Sequence, residues 1–167
     1  MDDNTKLSIL FVCHGNICRS PMAEFVMKNL ISKAGLSERF MVASAAISDE
    51  EEGNPVYQLA KRTLAIHGIG CRNKVATTMT KQMYVDSDYV VAMDDSNIRG
   101  IEAITNVHDD SKLFKLLDFT QTPVVNRSGR DISDPWYTRD FNKAWDDIFM
   151  GCKAMLEYFE KYCLMDL

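Results

Sequence analysis

This sequence lacks any apolar segment near its start that could serve as a leader or membrane anchor. The run after the acidic beginning Met1-Asp2-Asp3-Asn4-Thr5-Lys6 extends only from Leu7 to Cys13, too short and wrongly flanked for either role. A cytoplasmic protein without a membrane partner is expected. Metal-ligand spacing is missing too: no Cys-x2-Cys pair occurs, and the 3 histidines do not cluster, so no structural metal is expected. The 5 cysteines are odd in number and irregularly spaced, unlike a secreted disulfide framework. A basic excess is absent as well. With 19 Lys and Arg against 24 Asp and Glu, the net charge is -5, which argues against a nucleic-acid surface and confines positive potential to local sites. Neither internal repeats nor low-complexity tracts appear. The 167 residues, 46% hydrophobic, suit one core and hence one domain over residues 1–167.

Apolar runs alternate with amphipathic segments, the pattern of a parallel sheet covered by helices. The expected strands are Lys6 to Cys13, Phe40 to Ser44, Tyr89 to Met93 and Leu113 to Leu117. The first helix is expected from Pro21 to Ala34, with Met22, Phe25, Val26 and Leu30 on its apolar face and Gly35 past its end. A second should start at Asn54-Pro55 and reach His67, and a third should run from Asp95 to Asn106. Phe141, Trp145, Ile148, Phe149, Cys152, Met155, Leu156 and Phe159 recur at helical spacing and predict a long core helix from Arg139 to Tyr162. The methionines, being scattered, read as core fillers. Asp118 to Ser133, with Pro123 and Gly129, is the longest expected loop.

Chemistry concentrates where the first strand ends. Cys13 closes an apolar run, Gly15 and Asn16 supply a turn, Arg19 and Ser20 follow, and Pro21 opens the helix. A strand, a tight turn and a helix N-terminus aimed back at the turn make a phosphate cradle. A thiolate inside it is a nucleophile toward phosphorus, and the guanidinium of Arg19 is a planar fork for phosphate oxygens. The blander alternative, a buried strand-end thiol beside a surface arginine, fits the spacing but not the turn and helix around it. Departure of an alcohol from phosphorus also needs a proton donor. Asp134, before Pro135, is the leading candidate, with Asp131 and Asp94 as rivals; each residue alone reads equally as a turn or a helix cap. Asn16 is suited to a left-handed backbone. His67 lies at a helix end and His108 in a loop, neither with the look of a ligand.

Cys13-His14-Gly15-Asn16-Ile17-Cys18-Arg19-Ser20-Pro21 closely resembles the signature loop of the low-molecular-weight protein tyrosine phosphatases. Three further segments resemble that family in order along the chain: Ser44-Ala45-Ala46, Met93-Asp94-Asp95-Ser96-Asn97 and Asp134-Pro135-Trp136-Tyr137. The resemblance implies a four-stranded parallel α/β sheet with helices on both faces. It implies hydrolysis of phosphotyrosine or aryl phosphates through a cysteinyl-phosphate intermediate without a cofactor, and inhibition by phosphate-like oxyanions. Cys13, Arg19 and Asp134 would be catalytic. His14, Gly15, Asn16, Ile17, Cys18 and Ser20 would form the binding loop, with Ser20 hydrogen-bonded to the thiolate and Trp136 and Tyr137 walling a phenyl ring. Ser44 would hold Asn16, and Asp94 would lend support. A reversible disulfide between Cys13 and Cys18 is also implied.

The chain departs from the family's usual pattern in two places. Where His-x-Ala-Arg is usual it reads Lys74-Val75-Ala76-Thr77, so that support of the cradle does not carry over. Asp49-Glu50-Glu51-Glu52 stands where many relatives carry a tryptophan near the pocket mouth, and would disfavour acidic phosphopeptides if it borders the site. Three alternatives remain. A thiol-coupled arsenate reductase needs relay cysteines, which are missing between Arg72 and Gly151. An arginine phosphatase usually has threonine at the position of Ile17. A catalytically silent phosphate-binding module would not need Cys13 and Asp134.

Overall fold

The computed structural model describes residues 5–164; the acidic start, Met1 to Asn4, lies outside them. Strand β1 (Leu7–Cys13) is the hub. Its side chains alternate between faces, Ile9, Phe11 and Cys13 entering one core and Leu10 and Val12 the other. Because both faces are covered, the strand is apolar at every position but Ser8 rather than alternating with polar residues. It pairs in parallel with β2 (Phe40–Ala46) on one side and β3 (Tyr89–Ala92) on the other, and β3 pairs with β4 (Leu113–Lys115). The order is therefore β2-β1-β3-β4, the four-stranded parallel sheet expected from the alternation of strands and helices.

On the first face, α1 (Arg19–Lys33) and the long α6 (Phe141–Tyr162) bury Met22, Val26, Ile148, Met155 and Phe159 against Ile9 and Phe11, and α2 (Gln58–Ile66) adds Leu64. On the other, α3 (Lys81–Asp86) and α4 (Asp95–Thr105) contribute Tyr84, Ile98 and Ile101. The one-turn α5 (Pro135–Thr138) links to α6.

Several boundaries differ from the sequence reading. Helix α1 starts at Arg19 rather than Pro21. Proline is tolerated in a first turn because its missing N–H would have no helical partner. Helix α2 starts at Gln58, since Pro55 is drawn into an isolated antiparallel bridge with Val75. Strand β4 stops at Lys115, and Leu116 and Leu117 bend into a 3-10 turn over Leu116–Thr120. Helix α3 was not expected; at 6 residues it is too short to show a period, and it is capped by Thr80, whose hydroxyl accepts from the Met83 amide. In α6 the first turn is set by Asp140 accepting from the Lys143 amide. Phe149 is not core but exposed, stacked on Trp145 with ring centroids 5.8 Å apart. Met41 and Met150 are likewise exposed rather than fillers.

The chain leaves β1 to one side for β2 and returns to its other side for β3. The carboxyl end of β1 is thus the switch point where ligands bind in open α/β sheets. Cys13 stands there. The long loop after β4 is brought to the same edge by Asp118, fully buried, whose carboxylate accepts from the amides of Lys115 (2.8 Å), Arg127 (2.6 Å) and Gly129 (2.6 Å). Gly129 is needed for this approach: a Cβ there would lie 2.6 Å from the Asp118 nitrogen. The loop is then pinned by the Ile132 amide donating to the Met93 carbonyl (2.9 Å), two residues before Asp134. Asp118→Ala should orphan the buried amides of Lys115 and Gly129 and the half-buried one of Arg127, and cost about 3 to 5 kcal/mol, read as a lowered urea midpoint with an unchanged slope.

Candidate active site

The turn after β1 is made by Asn16, whose φ of 57° is left-handed. That conformation is locked by three bonds from its own side chain. Nδ2 donates to Ser20 Oγ (2.7 Å) and Ser44 Oγ (2.9 Å), while Oδ1 accepts from the Thr77 amide (3.1 Å). The turn folds the Asn16 amide back onto Cys13 Sγ at 3.3 Å, and Ser20 Oγ lies 3.0 Å from the same sulfur. Because Ser20 Oγ already accepts from Asn16, its proton is free to point at Cys13. Helix α1 meets the loop with no capping side chain and no acid in its first turn. Its first helical bond is from Met22 N–H to the Cys18 carbonyl (3.1 Å), so the amides before it and the positive end of the helix dipole face the cradle.

Arg19 is buried and spans three partners. Nη1 donates to Asp94 Oδ2 (2.7 Å) and the Ile132 carbonyl (2.8 Å), and Nη2 to Asp134 Oδ2 (3.3 Å). Burial opposes its charge, but the Cys13 sulfur, Asp134 and Asp94 more than offset that, holding its pKa above the ordinary value. Asp134 also caps α5, Oδ1 accepting from the Trp136 amide (3.0 Å). A cavity of about 150 Å³ is lined by Cys13, Arg19 and Asp134, with Trp136 and Tyr137 among its walls. The second loop thiol, Cys18, is buried, and its pKa is pushed up to about 12 by that burial and then by the Cys13 sulfur and Asp134. Both thiols are free.

A family model described as low molecular weight phosphotyrosine protein phosphatase matches residues 8–163. YfkJ of Bacillus subtilis, a low molecular weight protein-tyrosine-phosphatase, is 34% identical over 93% of this chain and 97% of its own. Its crystal structure superposes with a TM-score of 0.88, covering 96% of this chain and 99% of that one. The human low molecular weight phosphotyrosine protein phosphatase is 35% identical over 94% of this chain and 98% of its own. A Drosophila arginine phosphatase structure matches at 29% identity and a TM-score of 0.79, covering 91% and 97%. The chain belongs to the low molecular weight phosphotyrosine protein phosphatase family.

In this phosphatase the cradle is supported from behind by a further set of polar residues. Lys74 donates through Nζ to the Ser44 carbonyl (3.0 Å) and lies 3.4 Å from Glu24 Oε1. Glu24, buried in α1, accepts from the Ser44 hydroxyl at 2.6 Å. A buried relay of hydrogen bonds thus runs from Lys74 and Glu24 through Ser44, Asn16 and Ser20 to the Cys13 sulfur. Glu24 was not foreseen as part of the site; its only signal was a carboxylate between Ala23 and Val26 on the core-facing side of α1.

Of the rival acids, Asp131 turns away from the cavity, accepting from Lys115 Nζ (3.1 Å) and the Asp95 amide (3.0 Å). Asp94 is committed: Oδ1 caps α4 through the Asn97 amide (2.8 Å), while Oδ2 holds Arg19. Asp134 alone of the three lines the cavity. The aromatic wall is braced by residues that sequence reasoning passed over. Tyr57 meets Trp136 edge-on at 5.0 Å, and Arg139, itself left-handed at φ 61°, donates to the Tyr57 hydroxyl (2.8 Å).

Proposed function

We propose that the chain hydrolyses phosphotyrosine and related aryl phosphate monoesters through a phosphocysteine at Cys13. The observation that carries this is the Cys13 sulfur, fixed by the Ser20 hydroxyl and the Asn16 amide at a cavity that Arg19 and Asp134 share. In the first step the thiolate attacks phosphorus in line, the S–P bond forms, and the P–O bond to the phenol breaks. Asp134 gives the leaving phenolate its proton. Water then attacks phosphorus, Asp134 takes back a proton, the S–P bond breaks and orthophosphate leaves. Throughout, Arg19 and the loop amides, including those of His14, Gly15, Ile17 and Cys18, meet the charge on the equatorial oxygens. Trp136 and Tyr137 flank the ring. Phosphate, vanadate and similar oxyanions compete for the same cradle. The chemistry needs a free thiol, in keeping with the free cysteines, and belongs in a reducing compartment such as the cytoplasm.

The test is turnover of 4-nitrophenyl phosphate and phosphotyrosine beside phosphoserine and phosphoarginine. Aryl phosphates should be preferred; the apolar, branched Ile17 lines the cavity and suits a ring. Preference for phosphoarginine would defeat the substrate assignment. Asp134→Ala should lower kcat by about a hundred- to a thousandfold. The loss should be larger for phenyl phosphate than for 4-nitrophenyl phosphate, whose leaving group needs a proton less. An equal loss for both esters would remove Asp134 as the proton donor.

A further inference from the structure

A second cavity, of about 420 Å³, opens beside the catalytic one and shares Ile17, Glu51 and Trp136 with it. Its other walls include Pro55, Val56 and Tyr57, giving an apolar floor. The two cavities are held together rigidly. The Tyr57 amide donates to the Ile17 carbonyl (2.9 Å), fixing the start of α2 to the catalytic loop. Glu52 binds the Thr78 amide at 2.6 Å, and the Gly53 amide donates to the Ala76 carbonyl (2.9 Å), which tethers the acidic loop from its far side.

Glu51 stands where the cavities meet. Its Oε2 accepts from Asn54 Nδ2 at 2.7 Å, and its Cγ lies so close to the catalytic loop that a Cβ on Gly15 would be 3.4 Å from it. Glu50 lines the catalytic mouth as well. A phosphate dianion entering the cradle passes these two carboxylates, which repel it. A cation carried next to the phosphotyrosine offsets that repulsion and gains an attraction of its own.

We propose that this adjoining cleft is a substrate subsite and that Glu51 determines its specificity, selecting a lysine or arginine side chain that flanks the phosphotyrosine. The aliphatic stem of such a residue lies along Pro55, Val56 and Trp136 while its charged end meets Glu51. The inference rests on the phosphatase reading above and adds the class of peptide that the site prefers. Lys61, which lines only the second cavity, would favour the opposite charge and defines the competing outcome.

The experiment uses phosphotyrosine peptides of one sequence that carry Arg, Ala or Glu at each position beside the phosphotyrosine. The quantity read is the ratio of kcat/KM for the Arg peptide to that for the Glu peptide, which cancels any loss of folded enzyme. In the wild type the best-placed pair should give a ratio of about two to five, the scale of a partly exposed ion pair, shrinking at high salt. Glu51→Gln should bring it close to one and Glu51→Lys below one. A wild-type ratio near one, or a ratio that survives Glu51→Gln, overturns the proposal, as does an acidic preference abolished by Lys61→Ala. Hydrolysis of 4-nitrophenyl phosphate by the wild type separates the two levels: turnover without peptide preference defeats only the subsite, and no turnover of any ester defeats both.

Discussion

Cys13→Ser should lose at least about ten-thousandfold in kcat toward 4-nitrophenyl phosphate while still binding vanadate or phosphate. The oxygen of serine would sit at the same strand end, within reach of the Asn16 amide (3.3 Å from sulfur) and the Ser20 hydroxyl (3.0 Å). Those donors can favour a thiolate, whose proton leaves a free cysteine near pH 8.5, but not an alkoxide, whose proton leaves only far above that. The variant therefore keeps the cradle and loses the nucleophile. Two readouts separate these effects: oxyanion affinity by calorimetry, expected to stay within about tenfold of the wild type, and acid-quench trapping of a phosphoenzyme, expected to vanish. Turnover persisting in Cys13→Ser would remove the covalent mechanism, and loss of oxyanion binding would mean that the loop itself had collapsed.

The parts legible in the sequence were those whose physical cause is local. Strand β1 is apolar at nearly every position because helices cover both its faces, and α6 announced itself through Trp145, Ile148, Cys152, Met155 and Phe159 at helical spacing. The left-handed turn at Asn16 and the helix start at Arg19 lie within a few residues of Cys13, so their chemistry could be read as a unit. The rest depends on partners distant in sequence. Glu24 meets Lys74 across the sheet edge, and Arg19 finds the carbonyl of Ile132, which has no side-chain signature at all. Pro55 looked like a helix opener until a bridge to Val75 claimed it. Lys74 and Thr77 support the cradle by offering an ammonium and a backbone amide to Ser44 and Asn16, an arrangement that no spacing rule encodes.

Arg19→Lys should cost about a thousandfold in kcat/KM for aryl phosphates, although the charge is unchanged. The guanidinium is not a free cation waiting for phosphate: Nη1 is bound to Asp94 at 2.7 Å and to the Ile132 carbonyl at 2.8 Å, and Nη2 reaches Asp134 at 3.3 Å. Through these bonds a single planar group ties the cradle to the strand end after β3 and to the loop that carries Asp134, the proposed proton donor. A lysine ammonium is a point charge on a flexible stem and cannot meet Asp94 and Ile132 while also gripping two phosphate oxygens side by side. Removing the fork also leaves the buried carbonyl of Ile132 without its donor, which should loosen the loop two residues before Asp134 and slow leaving-group protonation. The substitution is therefore expected to lower kcat as well as raise KM, and to weaken vanadate binding. Retention of activity within about tenfold would show that charge alone, not the bidentate geometry, meets the transition state.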